Sequence, residues 1–216
     1  MIIVAGFFAI KGAVMWNEAK ERLSIEQLTE KMRSDENFTG YDDLPEFYIN
    51  AVISTEDRKF ETHNGVRVSS IIRAFLYDIK AMSFEQGGST ITQQLAKNVW
   101  FTEEKRIERK FAEMYAAFAL EKELSKKEIF ELYVNSIDFG SGYYGICDAA
   151  KGYFEKDVSE LSDYECAMLA GLPNAPSAYS PDTSPELARQ RLVMVLNCMK
   201  DNGVLTDSRA EEVLSQ

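Results

Sequence analysis

Apolar side chains recur at helical spacing along most of this chain, and no convincing run of alternating apolar and polar residues appears anywhere. The sequence therefore predicts an almost wholly helical domain. The predicted helices cover residues 45–55, 66–82, 105–124, 146–154, 164–172 and 185–200, with further helices opened by the loop 87–90, by Ser125 and by Asp207.

The first 16 residues are nearly all apolar, with Lys11 as the interruption. A membrane span takes about 20 residues, and a signal peptide would show a basic start and a small-residue cleavage site. Three interpretations stay open: a membrane anchor shortened at its N-terminus, a helix lying in the membrane interface, and a buried core helix. We favour an anchor, or its remnant, over residues 1–20, with the folded domain over residues 21–216.

Two Ser-x-x-Glu patterns predict capping boxes, Ser125 with Glu128 and Ser162 with Glu165. The long helix 105–124 carries an apolar stripe interrupted by charges. Within it, Arg109 and Glu113 are four residues apart, and a surface ion pair is one interpretation of that spacing. The stripe consists of Ile107, Phe111, Met114, Tyr115, Phe118 and Ala119.

Charge narrows the possible ligands. The 216 residues are 45% hydrophobic and 27% charged, with a net charge of −11. This balance argues against general nucleic-acid binding and against attachment to anionic lipid by overall charge. An anionic ligand would need a local cationic pocket.

The cysteines have no metal-ligand spacing, so zinc is not expected and buried free thiols are favoured, notably for Cys166 and Cys198.

The stretch from Glu56 to Gly65 follows a predicted helix that carries Phe47, Tyr48, Ala51 and Val52 toward a core. It combines two adjacent carboxylates, two cations, an aromatic residue and the single histidine of the chain, His63. Gly65 allows the positive φ of a sharp turn. Acidic groups at a helix C-terminus oppose the helix dipole, so local stability does not explain them. A solvated charge cluster is the alternative.

Residues 87–98, Gly-Gly-Ser-Thr-Ile-Thr-Gln-Gln-Leu-Ala-Lys-Asn, form a loop that opens a helix. Ser89 or Thr90 is the expected N-cap, and exposed backbone N–H groups at such a terminus favour an anion. Thr90, Gln94 and Lys97 share one helix face. The spacing is not that of a nucleotide-binding P-loop.

Together these segments resemble the peptidoglycan glycosyltransferases, found as monofunctional transglycosylases and as domains of class A penicillin-binding proteins. The matching motifs are Glu-Asp-x-x-Phe-x-x-His-x-Gly at 56–65, the Gly-Gly-Ser-Thr motif at 87–98, Arg-Lys-x-x-Glu at 109–113 and a fourth motif at 127–135. The resemblance covers roughly residues 40–205. Glu155 departs from it, because the family usually has glycine there, which places the local turn geometry in question.

The resemblance implies a reaction in which the 4-hydroxyl of one lipid-linked sugar attacks the anomeric carbon of another, with inversion, and lipid pyrophosphate leaves. It implies that Glu56 is the base and Glu113 the second essential carboxylate, whose work is open between ordering cations, holding a metal ion and assisting the leaving group. The substrate-binding residues implied are Asp57, Phe60, Ser89, Thr90, Gln94, Lys97, Arg109 and Lys110. His63, Gly65 and Gly88 are expected to shape the motifs.

The resemblance also implies a lysozyme-like, two-lobed helical fold whose jaw lobe, at about residues 66–86, dips into the membrane. The expected partners are lipid II, the growing glycan strand, the membrane, transpeptidases and cell-division or elongation proteins, with no nucleic acid. A divalent cation, Mg²⁺ or Mn²⁺, is the expected cofactor, without a nucleotide. The expected location is the extracytoplasmic face of the cell membrane.

Three other identities share some of these features. A lysozyme-like muramidase would need a protonated general acid, but it would not need the polar residues of the motif between Gly88 and Lys97. An inactive scaffold binding lipid II would have lost motif residues, yet all are present. A fragment of a bifunctional enzyme is the third; no Ser-x-x-Lys followed by Lys-Thr-Gly indicates a transpeptidase within these residues.

Overall fold

The computed structural model describes residues 2–67, 88–101 and 106–216. In these ranges every named secondary-structure element is a helix. The β-structure of the described residues is one isolated antiparallel bridge between Asp138 and Tyr144. The predicted mostly helical fold is confirmed. The predicted helix 66–82 and the jaw lobe lie outside the described residues, apart from their first two residues.

The chain divides into two compact units. The first unit comprises Met1–Asp35 and Phe60–Tyr133, and the second comprises Glu36–Lys59 and Val134–Gln216. The α-helices are α1 Ile2–Arg22, α2 Ile25–Arg33, α3 Glu46–Glu56, α4 Ile91–Trp100, α5 Ile107–Glu123, α6 Lys126–Asn135, α7 Ile146–Phe154, α8 Asp163–Gly171, α9 Pro176–Tyr179, α10 Pro185–Asp201 and α11 Asp207–Leu214; short 3₁₀ helices cover Tyr41–Asp43, Val158–Glu160 and Leu172–Asn174.

Local capping determines where several helices begin. The predicted capping boxes are confirmed: Ser125 exchanges backbone and side-chain hydrogen bonds with Glu128, and Ser162 does so with Glu165. Further capping boxes stand at Ser24 before α2, at Thr90 before α4 and at Asp157 before a 3₁₀ helix. These bonds satisfy N–H groups that a helix terminus leaves without intrahelical partners.

In the first unit, α1 packs closely against α5 because the contact is made by small residues. A Cβ on Gly12 would lie 2.4 Å from Phe111 Cβ and 2.9 Å from the Ala112 backbone nitrogen, so only glycine permits this approach. Farther along α1, Trp16 is buried and meets Trp100 edge to face, with the ring centroids 5.1 Å apart. This half of α1 therefore belongs to the core of the first unit.

The opposite side of α1 is apolar and exposed at Phe7, Ile10 and Val14. Among the described helices, none combines the length and the apolar character that a membrane crossing requires. The interpretation of residues 1–20 as an anchor stays a prediction.

The buried face of α5 is not the predicted apolar stripe. Ile107, Tyr115 and Phe118 are substantially exposed, whereas the fully buried positions are alanines and a carboxylate. Small side chains let neighbouring helices approach, and this outweighs the burial of larger apolar groups. The buried positions are Ala112, Glu113, Ala116, Ala117 and Leu120.

In the second unit, α3 packs against α8 and α10. Tyr48, Ala51 and Val52 are buried as predicted, and Phe47 is half-buried. Burial raises the pKa of the Cys166 thiol to about 12, with further increases from neighbouring carboxylates, so this thiol is neutral at physiological pH. Cys198, predicted to be buried, is half-buried, and none of the three cysteines, all of which lie in the described ranges, forms a disulfide.

Glu155 ends α7 in the left-handed conformation, with φ +58°. Its backbone N–H bonds to the carbonyls of Ala150 and Lys151, which closes the helix. The unfavourable contact between Cβ and backbone in this region explains why glycine suits the position.

Replacing Glu155 with glycine should therefore stabilise the protein by about 0.5–1 kcal/mol, the balance of relieved strain against backbone entropy. Urea unfolding measures the change. Glu155→Gln, which removes the charge but keeps Cβ, is the matched control and should change stability little. Equal stabilisation by both variants would attribute the effect to charge instead.

Candidate active site

The carboxylate of Glu113 is completely buried on α5, and two cations of the same helix lie against it. Arg109 Nε lies 3.1 Å from Glu113 Oε1, and Lys110 Nζ donates to Glu113 Oε2 at 2.5 Å. A buried carboxylate is costly unless it is paired, so these contacts make its burial possible. The interpretation of Arg109 and Glu113 as a surface ion pair is wrong, because Glu113 faces the alanine-lined interior.

Lys110 joins this cluster to the loop that opens α4. Its Nζ donates to Ser89 Oγ at 2.7 Å as well as to Glu113, and 37% of its side chain is still exposed. The Ser89 hydroxyl accepts from Lys110 and keeps its own proton for donation. A ligand can therefore meet an ammonium group and a hydroxyl donor at one place.

The hydroxyl of Thr90, by contrast, makes structural hydrogen bonds within the fold. It is fully buried, donates to the Gly65 carbonyl at 2.5 Å and accepts from Gln93 N at 3.1 Å. Thr90 therefore ties the start of α4 to the end of the Glu56–Gly65 stretch. One turn on, Gln94 accepts from the Tyr133 hydroxyl at 3.3 Å.

Lys97 lies half-buried in the last turn of α4, three residues after Gln94 and so on the same side of the helix. Gly88 lies half-buried in the loop before α4. The described geometry thus places the predicted residues Ser89, Arg109, Lys110 and Glu113 together in the first unit.

The loop 60–65 turns sharply at Gly65, which has φ +87° as its sequence suggested. A Cβ there would also lie 2.9 Å from the Ala117 carbonyl oxygen. His63 Nδ1 accepts from Gly65 N at 3.0 Å, and the side chain is only 8% exposed. Phe60 is buried and contacts His63 edge to face, with centroids 6.2 Å apart.

A buried brace, which the sequence did not reveal, supports this loop. Lys126 donates to the His63 carbonyl and to Glu121, both at 2.7 Å, and its ammonium lies 4.7 Å from the Phe60 ring centre. Glu121, 8% exposed, also accepts from Thr92 at 2.7 Å. The loop is therefore fastened to α4, α5 and α6 by charged hydrogen bonds, which are stronger than neutral ones.

Glu56 and Asp57 lie in the second unit, where Glu56 ends α3 and Asp57 is its fully buried C-cap. The Glu56 side chain is 11% exposed, and Arg191 Nη2 of α10 lies 3.7 Å from Glu56 Oε1. Arg191 was not predicted as a site residue. The available signal was a cation at a position where the helical spacing of Ala188, Leu192 and Val195 calls for an apolar side chain.

The expected divalent cation does not fit at Glu113. Both oxygens of this carboxylate face cations, and these would repel Mg²⁺ or Mn²⁺. In the described ranges, no group of three or more His, Cys, Asp or Glu residues has a geometry that could hold a metal ion.

A buried carboxylate under two cations, with a partly exposed ammonium beside a hydroxyl, is typical of a candidate site for an anionic ligand. Comparison with known proteins specifies the class. Residues 22–200 match the family Transglycosylase. The chain belongs to this family, and the predicted membership among peptidoglycan glycosyltransferases is confirmed.

Individual relatives agree. Penicillin-binding protein 1A of Aquifex aeolicus is 46% identical over 179 residues, which are 83% of this chain and 25% of that protein. Penicillin-binding protein 1A of Neisseria flavescens is 44% identical, over 83% of this chain and 22% of that protein. The chain thus spans about a quarter of the length of these relatives.

A solved structure is also similar. The crystal structure of penicillin-binding protein 1A from Haemophilus influenzae matches with a TM-score of 0.41 and 29% identity, over 63% of this chain and 17% of that one.

Removing the Lys126 ammonium should loosen the loop 60–65. In Lys126→Met, the Glu121 carboxylate loses its cation and the His63 carbonyl its donor, which costs about 1–3 kcal/mol locally. Amide hydrogen exchange at residues 61–65 should accelerate about tenfold or more. Lys127→Met, at an exposed neighbouring position, is the control. Unchanged exchange in a folded Lys126→Met protein would contradict the brace.

Proposed function

We propose that this chain polymerises lipid II into glycan strands. In this reaction the 4-hydroxyl of one lipid-linked sugar attacks the anomeric carbon of another, the new glycosidic bond forms with inversion, and the bond to lipid pyrophosphate breaks. The observation that carries the proposal is the cluster of Arg109, Lys110 and Glu113, joined to Ser89, in a member of the transglycosylase family.

The cluster suits a pyrophosphate leaving group. Two cations and one carboxylate leave one net positive charge, in a molecule whose overall net charge is −11. Glu113 fixes both cationic groups before the substrate arrives, so little reorganisation is needed as charge develops on the phosphates. We assign Arg109, Lys110 and Lys97 to that charge, and Ser89 and Gln94 to hydrogen bonds with phosphate or sugar oxygens.

Glu56 is assigned as the general base. It accepts the proton of the attacking 4-hydroxyl, and the hydroxyl oxygen then forms the new bond. Its low exposure limits competing contact with bulk water. We assign a role in shaping the two motif segments to Asp57, Phe60, His63, Gly65, Gly88 and Thr90. Phe60, His63 and Thr90 contact other residues of these segments.

The surroundings of Glu56 also separate this function from the muramidase alternative. A muramidase needs a protonated carboxylic acid at the glycosidic oxygen. A guanidinium 3.7 Å from the carboxylate favours the ionised form, which is the form of a base.

The lipid-linked substrate places this reaction at the membrane, and we propose the extracytoplasmic face as its location. Transpeptidases and proteins of cell division or elongation are proposed partners. The scaffold alternative shares the substrate and lacks turnover, so the experiments below measure binding and turnover separately.

Replacing the base should abolish polymerisation while leaving lipid II bound. Purified protein and Glu56→Gln are compared for glycan products from lipid II, and we expect a loss of about 10²–10⁴-fold in turnover. Glu61→Gln, an exposed carboxylate in the same stretch, is the matched control and should stay active. Glycan cleavage by the parent would support the muramidase, and binding without any turnover would support the scaffold.

Removing a cation assigned to the leaving group should slow the chemical step. For Lys97→Gln we expect about a 10²-fold decrease in kcat, because a charge interaction at the pyrophosphate is lost as the bond breaks. Lys122→Gln removes an equal charge from an exposed site at the far end of α5 and should be close to wild type. A purely KM effect for Lys97→Gln would reassign this residue to ground-state binding.

A further inference from the structure

Arg191 is a cation built into the interior of the second unit. It is 9% exposed and lies on the buried side of α10, among apolar residues. Arginine is rarely buried unless it is paired. Its position therefore calls for contacts that use its charge.

Four contacts hold the Arg191 side chain, and the weakest type among them runs from its Nη1 to the Met194 sulfur at 3.1 Å. Its Nε donates to the Gly171 carbonyl at 3.0 Å, at the end of α8. Its guanidinium carbon lies 5.6 Å from the centre of the Tyr179 ring, within the range of a cation–π contact. Its Nη2 lies 3.7 Å from Glu56 Oε1. The contacts with Gly171 and Tyr179 fix the planar guanidinium group, and the contact with Glu56 directs its charge toward that carboxylate.

Gly171 contributes to this placement by leaving room for the arginine stem. A Cβ on Gly171 would lie 2.8 Å from Arg191 Cγ, which is closer than a real Cβ approaches another atom. The φ of Gly171 is −83°, so its backbone conformation does not require glycine. Glycine weakens a helix relative to alanine, and the close approach of Arg191 explains its presence.

We propose that Arg191 is a positioning residue for Glu56, which it holds in place and in the ionised form that accepts the hydroxyl proton. The inference rests on the proposed function, in which Glu56 is the base. At 3.7 Å the contact is ionic and longer than a hydrogen bond, so it stabilises the charge without occupying the oxygen as a hydrogen-bond acceptor.

Apart from the fully buried carboxylate of Asp57, which follows Glu56 directly in the chain, the charged groups on the helices around Glu56 are paired or exposed. On α3, burial first, and then Cys166 and Glu56, raises the pKa of Tyr48 well above its usual value, so Tyr48 is neutral. On α8, the Cys166 thiol is neutral, and Asp163 and Glu165 pair with Arg209 and Lys156. On α10, Asp201 pairs with Arg58 and Lys200 with Asp207, and Glu186 and Arg189 lie on its exposed side.

The decisive variant is Arg191→Gln, which keeps a donor for the Gly171 carbonyl but removes the charge. The protein is labelled with ¹³C-glutamate, and the side-chain carboxyl carbon of Glu56 is followed by NMR as a function of pH. Its signal is assigned as the one that is missing from the spectrum of Glu56→Gln. Loss of a cation at this distance should raise the titration midpoint by about 1–3 pH units. The acid limb of kcat/KM for lipid II should move in the same direction.

Matched variants separate charge from structure. Arg189→Gln removes an equal charge from an exposed position on the same helix and should leave both titrations unchanged. Arg191→Lys keeps a cation and should restore most of the midpoint. Gly171→Ala keeps the arginine but displaces its stem, so it should raise the midpoint by part of the Arg191→Gln change.

An unshifted Glu56 midpoint in folded Arg191→Gln would overturn the inference, as would an activity loss equal at every pH. If Arg191→Gln does not fold, the titration midpoint of Glu56 in Gly171→Ala tests the inference instead. The proposed function fails separately, if Glu56→Gln still polymerises lipid II, because the NMR titration does not depend on turnover.

Discussion

Withdrawing a carboxylate from water requires a cation, and this constraint organises both units of the protein. Glu113 is buried with Arg109 and Lys110 against it. Glu121 and Glu56 are largely withdrawn from solvent, and they lie against Lys126 and Arg191. An isolated buried carboxylate would take up a proton or destabilise the fold. Each pair therefore fixes the position of a long, flexible cation and compensates the carboxylate that it lies against.

This arrangement would let a strongly acidic chain bind the anionic substrate proposed for it. Long-range attraction to anions is not available at a net charge of −11. Recognition must come from a few cations held at short range, where burial strengthens their effect. Glu113 keeps Arg109 and Lys110 in place, so their charge is concentrated at one point beside Ser89.

Glycines mark the places where backbone and side chains come closest. Gly12 lets α1 approach α5, Gly65 turns the loop against Ala117, and Gly171 leaves space for the stem of Arg191. At Gly65 the positive φ is a second reason for glycine, whereas the other two positions are explained by space alone. Close approach thus serves packing in the first unit and the placement of the buried cation Arg191 in the second.

The sequence by itself determined the helical fold, most helix boundaries, the caps at Ser125 and Ser162, and the family, because these depend on local spacing and contiguous motifs. Tertiary structure decided which face of α5 is buried, since close packing of alanines outweighed the larger apolar stripe. It also decided that Thr90 bonds to Gly65, that Lys126 braces His63, and that Arg191 reaches Glu56. These partners lie between 25 and about 135 residues apart in the chain, and only folding brings them together.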